Sequence, residues 1–327
     1  MAGTFPEIEN RCYIFLAIIG IPVNLLGIVI LSRGKCGLSA CTSRYLVAMA
    51  AVDQLVLIVA VILWRLVFHH FPGSFIEVTP VCSTIAGGFG AVTDFSVWFT
   101  VAFSFDRFIA ICCDKLRVKY CTVSMATAVL ASVGAVCSIK NIPIYFTLEP
   151  EELIDNIPWG CPRKQEYYSE TGWVAFDWFD KVSKPLFPFA LVLLLNALTV
   201  RHILVASQIR KRLRGQRTEK SRGDPEMESR RKSVILLFAV TGNFILLWLP
   251  YVINFVYYYV ARVNPDDDTE STFIFQQVAY MMLTLSCCTN TFIYAATQSK
   301  FRQQLQNAIK YPVISIGQLV IARVRRT

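Results

Sequence analysis

The chain has 327 residues, 54% of them hydrophobic and only 17% charged, and its 32 Lys and Arg against 23 Asp and Glu give a formal net charge of +9. A water-soluble chain carries charge on about a quarter of its residues, so the composition excludes a soluble globular protein and points to an all-α membrane bundle. The excess of positive charge is no nucleic-acid footprint, because it lies in short segments between apolar runs and not on a basic soluble domain.

Seven apolar stretches long enough to cross a bilayer follow at about 12–32, 43–68, 80–112, 122–146, 183–207, 232–260 and 273–297. Glu7 and Glu9 precede the first, where a signal peptide would carry a basic cluster. It therefore reads as a retained helix, with residues 1–11 as an extracellular N-terminus. The second holds Asp53 at its centre. The third runs from Cys82 to Asp106-Arg107-Phe108; at about 1.5 Å per residue it places a thiol and a guanidinium at opposite membrane faces. Pro143, Pro188 and Pro250 lie in the fourth, fifth and sixth, where a proline removes a hydrogen bond and kinks a helix. Residues 208–231 form the third cytoplasmic loop, and 298–327 a short surface helix and tail. No internal repeat is visible, which argues against a transporter built from duplicated halves.

Charge orients the chain. The segments around Arg33 to Arg44, Arg107 to Lys119, Arg201 to Lys232 and Lys300 to Arg326 hold 24 of the 32 Lys and Arg. The positive-inside rule makes that side cytoplasmic and the N-terminus extracellular, in a multi-pass plasma-membrane protein. Of eleven cysteines, Cys12, Cys82 and Cys161 face outward, where disulfides persist. No Cys/His spacing suggests zinc.

Polar groups inside a bilayer are costly and therefore informative. Asn24, Asp53, Ser96, Ser286 and Asn290 fall mid-helix in the first, second, third and seventh stretches. Converging, they would hold a small cation such as sodium, or water, around the Asp53 carboxylate. The alternative is a purely structural hydrogen-bond network between helices. No other metal or cofactor is implied.

With these residues assembled, the chain resembles a rhodopsin-like G protein-coupled receptor over nearly its whole length. Asn24 and Asp53 match the asparagine of helix one and the aspartate of helix two, and Cys82 and Cys161 match the extracellular disulfide. Asp106-Arg107-Phe108 resembles the Asp-Arg-Tyr motif, and Phe244 with Trp248-Leu249-Pro250 resembles the toggle region of helix six. Pro188 matches the helix-five proline, and Asn290-Thr291-Phe292-Ile293-Tyr294 resembles Asn-Pro-x-x-Tyr. Phe301-Arg302 then opens an amphipathic eighth helix on the membrane surface, and the tail Val313 to Arg326 can lie on lipid through its apolar and basic residues. Asn196 and the Ser138 to Tyr145 ending of helix four resemble the orphan group around G-protein coupled receptor 139. Arg230 stands where some members carry an acid, so the resemblance implies no inter-helix ionic lock on Arg107, only its pairing with Asp106.

The resemblance implies that an extracellular small molecule or short peptide shifts a two-state bundle and activates a heterotrimeric G protein, with Asp106, Arg107, Phe108, Asn290 and Tyr294 as the coupling switch. The basic segment from Arg210 to Arg230 would flank the G protein or contact lipid headgroups. The family's pocket projects onto Arg65, Phe89, Thr93, Asp94, Asp177, Asp180, Lys184, Tyr251, Asn254, Phe255, Gln276, Tyr280 and Thr284. Phe89 stands where amine receptors carry an aspartate, which argues against a biogenic amine. Charges of both signs suit a zwitterion, such as an amino acid or short peptide. Mutual salt bridging between helices is the other reading of the same charges. A membrane enzyme would need convergent catalytic groups, which are missing, and helix seven has no lysine for retinal. Arg230 and Asn196 leave open a constitutively active or decoy seven-helix receptor without a natural agonist.

Overall fold

The computed structural model describes residues 4–214, 225–260, 270–308 and 310, and the side chains among these except 210–214, 225–230 and 258–260. Seven long apolar helices form one bundle. They are α1 (Thr4–Ser32), α2 (Ala40–His70), α3 (Thr79–Cys112), α4 (Val123–Asn141), α5 (Thr171–Ile209, helical on to Arg214), α6 (Pro225–Val260) and α7 (Glu270–Thr297). A short α8 covers residues 299–308.

Local chemistry sets the ends. Gly34 and Gly37 adopt left-handed backbone at φ +67° and +71°, which turns the chain after α1. Ser39 then caps α2 by accepting from the Thr42 amide at 3.2 Å, and Thr122 caps α4 through the Met125 amide at 3.3 Å. Pro143 does not kink α4. It sits in the first turn of a 3-10 segment, Ile142–Thr147, where its missing N–H costs nothing. Likewise Pro188 opens the α-helical part of α5 (Phe187–Arg214), after a wider π segment, Val182–Leu186, that contains Pro185. A longer π segment, Leu57–Val67, forms most of the outer half of α2.

Several boundaries differ from the hydropathy reading, because apolarity reports the membrane and not the end of a helix. Residues 4–11 are no separate N-terminal segment but the first turns of α1, bridged by Glu7 and Arg11 at 3.8 Å. The start of α5 lies at Thr171, well before residue 183. The ends of the expected 208–231 loop belong to α5 and α6. The Arg230 side chain, much of the basic segment, Tyr258, Tyr259 and the tail Val313 to Arg326 lie outside the described residues.

Large apolar side chains such as Ile18, Val136 and Leu246 point outward, two-thirds exposed. A soluble protein would bury such residues; here they form the lipid face. Inside, Leu46, Val56, Phe103, Leu236, Leu237 and Tyr294 belong to one continuous core. Outside the membrane, the loop before α5 folds into an antiparallel hairpin, β1 (Glu152–Ile154) and β2 (Ile157–Trp159). Asp155 and Asn156 turn it with positive φ, the geometry a two-residue hairpin needs. A disulfide joins Cys82 at the head of α3 to Cys161 just past β2. Thr79 Oγ1 donates to Gly160 O at 2.8 Å, and the Gly160 amide donates to Glu77 O at 2.9 Å, pinning the same junction.

Candidate functional site

Polar side chains gather at three depths. At the C-terminal end of α3 lies Arg107, buried at 5% exposure, whose Nε donates to Asp106 Oδ2 at 3.0 Å; its Nη2 also bonds that oxygen. Cys41 Sγ donates to the other oxygen, Oδ1, at 3.3 Å. Arg107 Nη1 reaches across to α6 and donates to Ser233 Oγ at 3.1 Å. These groups border a cavity of about 800 Å³ lined by Arg107, Ser233, Lys232 and Lys300 among others. Phe108 is half-buried and does not line it, because it turns away from the Arg107 face of α3. Tyr294 is fully buried one level further in, with its ring edge-on to Phe301 at 6.1 Å.

At mid-depth, Asp53 accepts from Asn290 Nδ2 at 2.8 Å and from Ser96 Oγ at 3.4 Å, joining α2, α3 and α7. The expected cluster is smaller than projected. Asn24 donates instead to Cys287 O at 3.0 Å and accepts from Thr291 Oγ1 at 3.3 Å, both on α7. Ser286 bonds Leu283 O at 2.6 Å and accepts from Trp248 Nε1 at 3.3 Å. It thus ties the cluster's neighbourhood to Trp248, two residues before Pro250, whose ring lies 5.2 Å from Phe244 one turn earlier.

Toward the outside, a cavity of about 100 Å³ is lined by Tyr13, Val56, Ala60, Arg65, Phe89, Thr93, Lys184, Tyr251, Tyr280, Leu283 and Thr284. Seven of these are residues the sequence projects: Arg65, Phe89, Thr93, Lys184, Tyr251, Tyr280 and Thr284. Asp94 and Asp180 do not line it. Lys140, at the end of α4, holds both at 2.8 Å. Lys184 is 3.2 Å from Asp180 and 4.0 Å from Asp94, and Asn141 also donates to Asp94. The acids thus form a neutral quartet with two lysines between α3, α4 and α5, since a buried lone carboxylate would be far costlier. Gly90 makes room for it: a Cβ there would overlap Asn141 Oδ1. Asp177 pairs with Lys181 at 2.6 Å and accepts from Tyr167.

Three more projected residues lie away from the cavity. Asn254 and Phe255 sit a turn beyond Tyr251 on α6, and Phe255 packs edge-on against Trp178 of α5 at 6.5 Å. Gln276 is half-buried, while its neighbour Gln277 accepts from Arg65 Nη2 at 3.1 Å. Tyr13 and Leu283 carry no sequence signal for the cavity, and only the packing of α1 and α7 brings them there. Ser233 follows the basic run Arg230-Arg231-Lys232, and nothing in that run signals its bond to Arg107.

The profile described as 7 transmembrane receptor (rhodopsin family) matches residues 23–294, most of the chain. The chain belongs to this family. Among its relatives are C-C chemokine receptor type 1 of Macaca fascicularis, 22% identical over 90% of this chain and 77% of that receptor, and C-C chemokine receptor type 8 of Mus musculus, 23% identical over 91% and 78%. The receptor is accordingly a multi-pass plasma-membrane protein of a signalling family, not an enzyme. Its Cys82–Cys161 bridge, Asp53–Asn290 contact and Asp106–Arg107 pair occupy three successive levels between outside and inside.

Proposed function

We propose that the receptor takes up an extracellular small molecule or the end of a short peptide in its outer cavity and activates a heterotrimeric G protein at its inner one. The N-terminus is placed outside by the distribution of Lys and Arg. The observation that carries the reading is Arg107, held between Asp106 of its own helix and Ser233 of α6 in the wall of the cytoplasmic cavity. Moving α6 away from α3 breaks the Ser233 contact and frees the guanidinium for a partner's C-terminal carbonyls and carboxylate. At 22–23% identity the relatives' chemokines are not carried over. Asn196 and the end of α4 favour the orphan group around G-protein coupled receptor 139 as the nearer subgroup.

Asp53 and Ser96 supply the carboxylate and hydroxyl oxygens that suit a sodium ion, without Asn24 or Ser286. Bound there, sodium would neutralise the buried carboxylate. A second reading, a receptor active without agonist, is favoured by Ser233: a neutral hydroxyl restrains Arg107 less than an acid does. The test is nucleotide exchange on G proteins in membranes bearing Arg107→Ala. Exchange should fall to the receptor-free level at unchanged surface expression, and undiminished exchange would refute the coupling role.

A further inference from the structure

Among the described residues, the outer cavity is lined by two cations, Arg65 and Lys184, and by no acid. The geometry points to a small monocarboxylate with an aryl or alkyl body as its ligand, with the carboxylate taken by Lys184. This deepens the proposal that the outer cavity is the ligand site, and rests on it.

The two cations are not equally available. Arg65 Nη1 donates to Glu9 at 2.8 Å and Nη2 to Gln277 at 3.1 Å. Its guanidinium also lies 5.2 Å from the Tyr13 ring centroid and 5.9 Å from that of Tyr280. Arg65 is therefore a fixed wall. Lys184 makes a hydrogen bond to Asp180 at 3.2 Å and sits 4.0 Å from Asp94. Both acids have a closer cation in Lys140, and Asp94 has Asn141 besides. Turning Lys184 toward a ligand leaves both carboxylates on Lys140, with Asn141 also on Asp94, and a ligand carboxylate that keeps Lys184 close by limits the loss.

An ammonium ligand fits poorly. The described acids near the cavity are already engaged, Asp94 and Asp180 by the lysines and Glu9 by Arg65, so an ammonium would have to compete with cations in place. A neutral polar ligand gains little. Thr93 Oγ1 already donates to Phe89 O at 2.8 Å, and Thr284 Oγ1 donates to Tyr280 O at 3.0 Å, so neither hydroxyl has a proton left to give. The remaining walls, Phe89, Tyr251, Tyr280 and Leu283, suit an aromatic or aliphatic body. Because Lys184 of α5 approaches Asp94 of α3 at 4.0 Å, a carboxylate that draws it away loosens that tie. Binding and the bundle rearrangement then share one side chain.

The experiment uses the purified full-length receptor in nanodiscs, with thermal unfolding as readout. Its probes are phenylacetate, phenylacetamide and phenethylamine, which share a body and differ in head charge. Phenylacetate should raise the unfolding temperature, and the amide and amine should not. Lys184→Gln should weaken the phenylacetate response by about tenfold or more, the worth of one charge-assisted hydrogen bond, while Lys184→Arg should retain most of it. Equal shifts from all three probes, a shift from the amine alone, no shift from phenylacetate, or an undiminished response in Lys184→Gln would overturn the carboxylate assignment. The Arg107→Ala exchange assay is independent of these outcomes, so the receptor reading stands or falls separately.

Discussion

Arg107 of α3 and Ser233 of α6 hydrogen-bond at 3.1 Å across the cytoplasmic end of the bundle, although 126 residues separate them in the chain. This contact bridges the two helices through the switch arginine, and its strength sets how readily they part. Ser233→Ala should raise agonist-free nucleotide exchange by about tenfold or more, since the contact is worth about 1.5–3 kcal/mol when one partner is charged. Ser233→Asp should lower it below the parent. Equal basal exchange in all three proteins would show that the contact restrains nothing.

The Asp53 site makes a prediction about salt. If a sodium ion is held by Asp53 and Ser96, the receptor should unfold at a higher temperature in sodium chloride than in choline chloride at equal ionic strength. Asp53→Asn should abolish that difference while keeping the hydrogen bond to Asn290 available. A sodium effect that survives Asp53→Asn places the ion elsewhere.

The disulfide closes a loop spanning 79 positions. A chain-entropy account assigns it about 4.5 kcal/mol of stabilisation, so Cys82→Ser or Cys161→Ser should sharply reduce surface expression. Both mutants should also loosen the β1–β2 hairpin from the head of α3, where Val78 bridges to Trp159 and Thr79 bonds Gly160. Parent-like expression and agonist response in both would leave the bridge without a structural role.

The buried quartet should show its worth as coupling, not as a sum. Lys140→Met leaves Asp94 and Asp180 sharing Lys184 alone and should destabilise the receptor by about 3–5 kcal/mol. Adding Asp94→Asn should restore part of that loss, because the uncompensated charge disappears. Additive losses in the double mutant would mean that the ion pairs do not interact in the way their distances imply.

What could be read in the sequence was what repeats or spans. Seven apolar lengths and the spacing from Cys82 to Arg107 survive whatever the bundle does, and both appear in the structure. Direction was much harder to read. Asn24 and Asp94 sit at the expected depths but point elsewhere, Asn24 to the Cys287 carbonyl and Asp94 to Lys140. A side chain's azimuth depends on which helices pack beside it, and that is decided by contacts hundreds of positions apart. Helix ends were also hidden. Thr4 to Arg11 and Thr171 to Lys181 are polar enough to leave the membrane, yet they remain helical through pairs such as Glu9 with Arg65 and Lys181 with Asp177.

The π segment Leu57–Val67 has a consequence for how this receptor can vary. Asp53 lies before it in regular α-helix, while Ala60 and Arg65 lie within it, facing the outer cavity. The wider turns absorb register, so gaining or losing a single residue there would rotate Arg65 and its neighbours around the axis without disturbing Asp53, Ser96 or Asn290. The cavity-lining half of α2 is thus free to be rewritten by insertion and deletion, while the half that holds Asp53 keeps its frame.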